Sequence, residues 1–173
     1  VRFAKRFVLI VSPTRRIRAT PQELGAGALI GRAVKQALKV TRTDARVPLG
    51  VEISPSKLDR FAGGLGELLA TDPRDARLRL KGVRPVVSEE VPGRRLRAEA
   101  LVNRLRQMLR THVRDPFQLP FRDVRAVVTA RAFEHVIVIQ RNSKVLNYYV
   151  HLKPKRTFRV ATGQSSYPTP LGR

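Results

Sequence analysis

The sequence predicts an α+β protein, a small sheet-plus-helices domain followed by the first strands of an incomplete, mainly β domain. Two segments repeat apolar residues at i, i+3, i+4 and i+7, the spacing of a helix with one buried face. Several shorter stretches alternate apolar and polar residues, the period of a half-buried strand. Beyond about residue 130 the helical spacing stops and only strand-like stretches and turn chemistry remain.

In chain order, Phe7 to Val11 reads as a strand. Thr20-Pro21-Gln22-Glu23 reads as a capped start, with Thr as cap, Pro in the first helical position and Glu reaching back. Gly25, Gly27 and Gly31 argue against one long helix, so a short turn is expected, then a second helix from Arg32 to Lys39 with Ala33, Val34, Ala37 and Leu38 inward. Val47, Leu49, Val51 and Ile53 alternate with Pro48, Gly50, Glu52 and Ser54 as a strand. Ser54-Pro55 then opens a helix whose apolar face is Leu58, Phe61, Ala62, Leu65, Leu68 and Leu69. Gly63, Gly64 and Gly66 weaken that helix, so packing must hold it.

Ala76, Leu78 and Leu80 alternate with Arg77, Arg79 and Lys81, and Lys81-Gly82 turns into a second strand, Val83 to Ser88. After Pro92-Gly93 comes the clearest helix, with Ala98, Leu101, Val102, Leu105, Met108 and Leu109 on one face and Arg97, Arg104, Arg106 and Arg110 elsewhere. Such a basic amphipathic helix most simply packs on a core with its charges solvated. Asp115 to Arg131 reads as a Pro-interrupted connector with short extended pieces. Val136 to Ile139 is apolar on both faces, as in a sandwich strand; Arg141-Asn142-Ser143 turns, and Leu146, Tyr148 and Val150 alternate along the return. Phe158, Val160 and Thr162 alternate along a third strand ending at Gly163. Three such strands cannot bury their own apolar faces and call for a second sheet.

The 173 residues suit one ordinary domain or two small ones, and 42% hydrophobic residues suffice for a core. No apolar run approaches a membrane span, and no secretory signal is visible. With no cysteine, disulfides, thiolate metal sites and a Cys nucleophile are excluded within these residues. The net charge of +22 is the balance of 35 basic residues, 27 of them Arg, over 13 acidic ones, and the basic residues are spread along the whole chain. Nucleic acid is one partner for such charge, but the dispersed basic residues and few aromatics do not favour it; anionic cell-wall polymers satisfy the charge equally.

Ile137-Val138-Ile139, Lys144 to Tyr149, Thr157 to Gly163 and Tyr167-Pro168-Thr169-Pro170-Leu171-Gly172 together resemble the opening of the L,D-transpeptidase (YkuD-type) catalytic domain. Ahead of it, Lys57-Leu58-Asp59-Arg60-Phe61, Asp75-Ala76-Arg77-Leu78 and Gly93-Arg94-Arg95-Leu96 resemble the peptidoglycan-binding domain that often precedes it. The implied organisation is an N-terminal segment at 1–46 (part of a partial repeat of the binding domain is one reading), a peptidoglycan-binding α+β domain at 47–130 and the start of the catalytic domain at 131–173. The implied enzyme cross-links peptidoglycan through a Cys thioester, with no cofactor and no metal, outside the cytoplasm in the bacterial envelope. Its partners would be peptidoglycan stem peptides and anionic wall polymers.

In that family a Cys thiolate, activated by His, is the nucleophile. Both are expected downstream of Arg173, so no catalytic residue is expected within this chain, and the chain by itself is expected to be inactive. The residues implied at the substrate cleft are the turn Gly163, Tyr167, Pro168, Thr169, Pro170 and Gly172. Tyr148 and Tyr149 are read as hairpin or core packing, and His112, His135 and His151 as structural or surface histidines. Glu89-Glu90, adjacent in a turn, is read as a solvated pair. The alternatives are a non-catalytic wall-binding module and, less favoured, a basic nucleic-acid-binding protein.

Overall fold

The computed structural model describes residues 2–39, 47–164, 166–168 and 170. A 3-10 turn at Arg2–Ala4 leads into strands β1 (Phe7–Ile10), β2 (Arg16–Ala19) and β3 (Ala26–Ala28), helix α1 (Ile30–Ala37) and strand β4 (Val51–Ile53). Helix α2 (Pro55–Leu69) precedes strands β5 (Arg77–Lys81), β6 (Arg84–Ser88) and β7 (Gly93–Leu96). Helix α3 (Ala98–Thr111) is followed by β8 (Phe117–Gln118), β9 (Phe121–Val124) and a 3-10 turn at Ala130–Phe133. The last strands are β10 (His135–Gln140), β11 (Val145–Val150), β12 (Lys153–Arg159), β13 (Gly163–Gln164) and β14 (Tyr167–Pro168). The expected α+β class is the one observed.

The chain forms two compact units, each discontinuous in sequence. One holds Val1–Thr71 and Arg94–Asp123, the other Asp72–Gly93 and Val124–Arg173. These cut the chain differently from segments at 1–46, 47–130 and 131–173. The hairpin β5–β6 lies in the same unit as the C-terminal strands.

In the first unit, β1 pairs antiparallel with β2 and parallel with β8, and β3 pairs with β4. The core is apolar and continuous, with Phe7, Leu9, Leu24, Leu58, Leu101, Leu105 and Leu109 fully buried. Each such side chain contributes about 1.5–3 kcal/mol relative to exposure. Helix α2 starts with Pro55 at its first positions and buries Leu58, Ala62, Leu65 and Leu69. Leu68, expected inward, is exposed. At about 100° per residue it falls roughly 90° off the stripe that the other four define. Helix α3 buries Leu101, Val102, Leu105, Met108 and Leu109 and ends at His112 in the left-handed region, φ 56°.

The Thr20–Glu23 signal is real, yet it starts no regular helix. The Thr20 N–H donates to Glu23 Oε2 (2.6 Å), and the Glu23 N–H donates to Thr20 Oγ1 (3.3 Å), a reciprocal capping box. Gly25 then stops the turn at φ 72°, with its N–H on the Gln22 carbonyl and the Ala26 N–H on the Pro21 carbonyl. A start cap and a stop cap only five residues apart leave a single turn, and β3 follows. Val47 to Gly50, expected as strand, is irregular, so only Val51–Ile53 pairs. Helix α1 forms close to where it is expected, but none of its residues is buried.

The second unit joins the antiparallel hairpin β5–β6 to a three-stranded antiparallel sheet in the order β10–β11–β12. Asp75 Oδ1 accepts the backbone N–H groups of Val127 and Val128 (2.7 and 2.9 Å), and the Ala76 N–H donates to the Val128 carbonyl (2.9 Å). These bonds tie the segment before β5 to the approach to β10. The small core is Val136, Val138 and Tyr149, with Leu78 and Phe133 packed against it.

Candidate functional site

The sequence-derived site lies at the end of the second unit, and its frame is the β10–β12 sheet. Val136 pairs with Tyr149 and Val138 with Asn147, so Val136, Val138 and Tyr149 share the buried face. Ile137 pairs with Tyr148, Ile139 with Leu146, and Leu146 with Phe158, which puts these residues on the opposite face. That face is open: Ile137, Ile139 and Phe158 are 60%, 51% and 47% exposed. The alternation Leu146, Tyr148, Val150 therefore marks the open side of β11, and the buried ring is that of Tyr149. Its hydroxyl donates to the Val83 carbonyl at 3.3 Å.

Beyond β12, Gly163 takes φ 72° and pairs with Pro168, while Gln164 pairs with Tyr167, closing a small hairpin, β13–β14. The Thr162 hydroxyl donates to the Arg141 carbonyl (3.1 Å), and the Val160 N–H to the Lys144 carbonyl (3.0 Å). These bonds tether the strand leading into the hairpin to the β10–β11 turn. Tyr167 projects into solvent and Pro170 is exposed. Thr169 and Gly172, the other two residues of the implied cleft turn, lie outside the described residues. The hairpin thus brings Gly163, Tyr167 and Pro168 together.

The histidines separate into different environments. His135 stacks on Tyr148 (centroids 5.9 Å apart, planes 6°) with Nδ1 2.7 Å from the Tyr148 hydroxyl, on the open face of the sheet. His151 Nε2 lies 3.3 Å from a Glu134 carboxylate oxygen, and both side chains are well exposed. His112 caps α3 with Nε2 3.0 Å from the Leu49 carbonyl, edge-on to Phe3. Among the described residues no three or more His, Cys, Asp or Glu side chains gather as a metal site.

Glu90 is not simply solvated. Its carboxylate accepts the Ala130 N–H (2.8 Å) at the start of the 3-10 turn before β10, and this bond holds its pKa below the ordinary glutamate value. Asp75 has the comparable stitching role described above. Sequence reading missed both, because each partner is a backbone N–H about forty to fifty residues away and only chain folding brings it near.

In the first unit an open groove of about 400 Å³ runs between α2 and α3. Gly63, Ala98 and Val102 line it together with the polar side chains of Asp59, Glu99, Asn103 and Arg106. Arg106 donates to Asn103 Oδ1 at 3.1 Å. A Cβ placed on Gly63 would meet nothing within 4 Å, so that glycine leaves the groove open. The helical periodicity of α2 and α3 predicts their buried faces, whereas which exposed residues meet across the groove depends on how the helices cross.

The architecture is a mixed α+β protein of small sheets with three α-helices among the described residues. Residues 17–118 match the family described as "Putative peptidoglycan binding domain". The chain belongs to that family, which gives it a cell-wall-related role. Among solved structures, a cysteine-to-serine mutant of an Enterococcus faecium L,D-transpeptidase aligns with 99% of this chain and 63% of its own, at 12% identity and TM-score 0.40. The Ldtfm–avibactam carbamoyl enzyme aligns with 99% of this chain and 62% of its own, also at 12% identity and TM-score 0.40. The chain spans less than two thirds of the length of either solved chain. A comparison with the curated proteins gives no match.

Proposed function

We propose that this chain is part of a bacterial L,D-transpeptidase: a peptidoglycan-binding domain leading into the first strands of the catalytic domain. The observation that carries the reading is the 136–172 sequence pattern, supported by a three-stranded sheet with one apolar face open to receive a second sheet. The proposed location is the cell envelope, outside the cytoplasm.

The reaction would be acyl transfer. A Cys thiolate beyond Arg173, its proton taken by a His also beyond it, attacks the carbonyl carbon of the third residue of a tetrapeptide stem. The C–N bond to the terminal D-Ala breaks, the D-Ala amine gains a proton and a thioester remains. An amine of a second stem then attacks the thioester, the thiol leaves, and an amide joins the two stems. Backbone N–H groups would hold the oxyanion in both steps. Gly163, Tyr167, Pro168, Thr169, Pro170 and Gly172 would shape a wall of the cleft; none is a nucleophile. No cofactor enters this chemistry.

The test is to express the reading frame past Arg173 and incubate it with a tetrapeptide stem under mass spectrometry. A thioester adduct of the stem less D-Ala, abolished when the downstream Cys is replaced by Ala, is the expected result. An extension with no Cys, or with no adduct, would overturn the catalytic reading.

A second reading has its own support in the family match at residues 17–118: a wall-binding module without catalysis. Its ligand would be peptidoglycan, with stem peptide and anionic wall polymer as the contacts. Co-sedimentation with purified sacculi at low and high salt separates it from charge attraction, which salt screens away.

A further inference from the structure

Helix α1 is built as an amphipathic helix, yet its apolar side is turned outward. Ile30, Val34 and Leu38 follow at four-residue intervals across α1 and its C-cap, and they are 64%, 51% and 82% exposed. At about 100° per residue these three fall within one quadrant of the helix. A shallow cavity shows which flank faces the rest of the unit: Arg32, Ala33 and Gln36 line it with Leu29, Pro48, Leu49 and Gly50. The helix thus rests on its mixed flank and presents its three largest apolar side chains to the surroundings. A helix that served only to close the core would be turned the other way.

The charge pattern selects what covers this face. Arg32, Lys35 and Lys39 lie on the same two turns, and no acidic residue occurs from Leu29 to Lys39. The sequence continues with Arg42 and Arg46 against a single Asp44, in a chain of net charge +22. Three side chains are too few for the core of a stable protein–protein interface, which buries roughly 1,200 Å² or more. They do suit a surface that accepts a shallow apolar insertion beneath a layer of phosphates. We propose that α1 is an interfacial anchor: Ile30, Val34 and Leu38 enter the headgroup–acyl boundary of an anionic lipid bilayer while Lys35 and Lys39, which lie off the flank that faces the unit, stay at phosphate level. The inference concerns the first unit alone and does not depend on the catalytic reading.

The experiment uses the chain of residues 1–173 and vesicles of phosphatidylcholine, pure or mixed about three to one with phosphatidylglycerol. Charge alone will draw so basic a protein to the mixed vesicles, so the decisive variant keeps charge constant. Val34→Ser with Leu38→Ser should weaken vesicle co-sedimentation about tenfold or more at physiological salt, with an unchanged circular dichroism spectrum. Because the chain has no cysteine, Leu38→Cys takes a single environment-sensitive fluorophore, and Gln107→Cys on α3 serves as control. The probe at position 38 should shift to the blue on mixed vesicles and the probe at 107 should not. Parent-like binding of the double serine variant, or equal behaviour of the two probes, would overturn the proposal. So would a shift at position 38 that rises with protein concentration without lipid, pointing to a second copy, or one produced by lipid-free sacculi.

Discussion

Arg114 is only 8% exposed, and a guanidinium so placed must find acceptors. It donates from Nη1 to the Met108 and Val113 carbonyls (2.8 and 2.7 Å), from Nε to that of Lys5 (3.2 Å) and from Nη2 to that of Phe3 (3.3 Å). Its Cζ also sits 4.2 Å over the Phe7 ring. One side chain thereby ties the N-terminal turn to the end of α3, and burial pushes its pKa down from the ordinary arginine value. Arg114→Met should cost about 2–4 kcal/mol in denaturant unfolding, because it leaves carbonyls without donors; Arg114→Lys should recover only part, lacking the fork geometry. Two carboxylates titrate with the fold. The Thr20 N–H and hydroxyl lower the pKa of Glu23, and the Ala130 N–H lowers that of Glu90. A depressed carboxylate stabilises the folded state fully above its ordinary pKa and loses that effect as pH falls through the lowered one. The melting temperature should therefore drop on acidification below the ordinary glutamate range, and a Glu23→Gln, Glu90→Gln double variant should show a flatter melting profile there.

At the scale of elements, two glycines give opposite expectations. Gly25 holds φ 72°, and a Cβ there would stand 2.5 Å from the Lys57 Cβ. Gly25→Ala should destabilise by about 1–3 kcal/mol through strain and overlap. Gly64, inside α2, would place its Cβ in open space, so Gly64→Ala should stabilise by roughly 0.5–1 kcal/mol. Thermal or urea unfolding of the pair checks both signs. Elements were also where sequence reading did best. The buried faces of α2 and α3 repeat within a few turns, so local spacing names most of their inward residues, and Gly82 at φ 63° makes the turn expected after Lys81. It did less well with β3, whose Ala26-Gly27-Ala28 has no strand-like alternation and pairs only because β4 lies beside it.

Across the whole molecule, the open face of the β10–β12 sheet is the feature with the largest expected consequence. Exposed Ile137, Ile139 and Phe158 should bind a dye such as anilinonaphthalene sulfonate and favour concentration-dependent association. Ile137→Thr with Ile139→Thr should lower both signals, read by fluorescence and analytical ultracentrifugation, and shift stability by no more than about 0.5 kcal/mol. An unchanged dye signal would mean that this face is not the exposed apolar surface in solution.

What sequence alone determined was local: two helices with their buried stripes, the hairpin turns, the capped turn at Thr20, and the order of strands from Val136 to Gly163 that carries the family resemblance. The exclusion of a thiol nucleophile within these residues is equally a property of composition. Tertiary structure decided the rest. It assigned Tyr149 and not Tyr148 to the buried side of β11, because alternation defines two faces but not which one meets Leu78 and Phe133. It joined residues 72–93 to residues 124 onward through Asp75 and Glu90, acceptors whose partners are remote in sequence. It also turned Ile30, Val34 and Leu38 of α1 outward. A periodic pattern shows that a helix has an apolar side, and only the packing of its other flank shows where that side points.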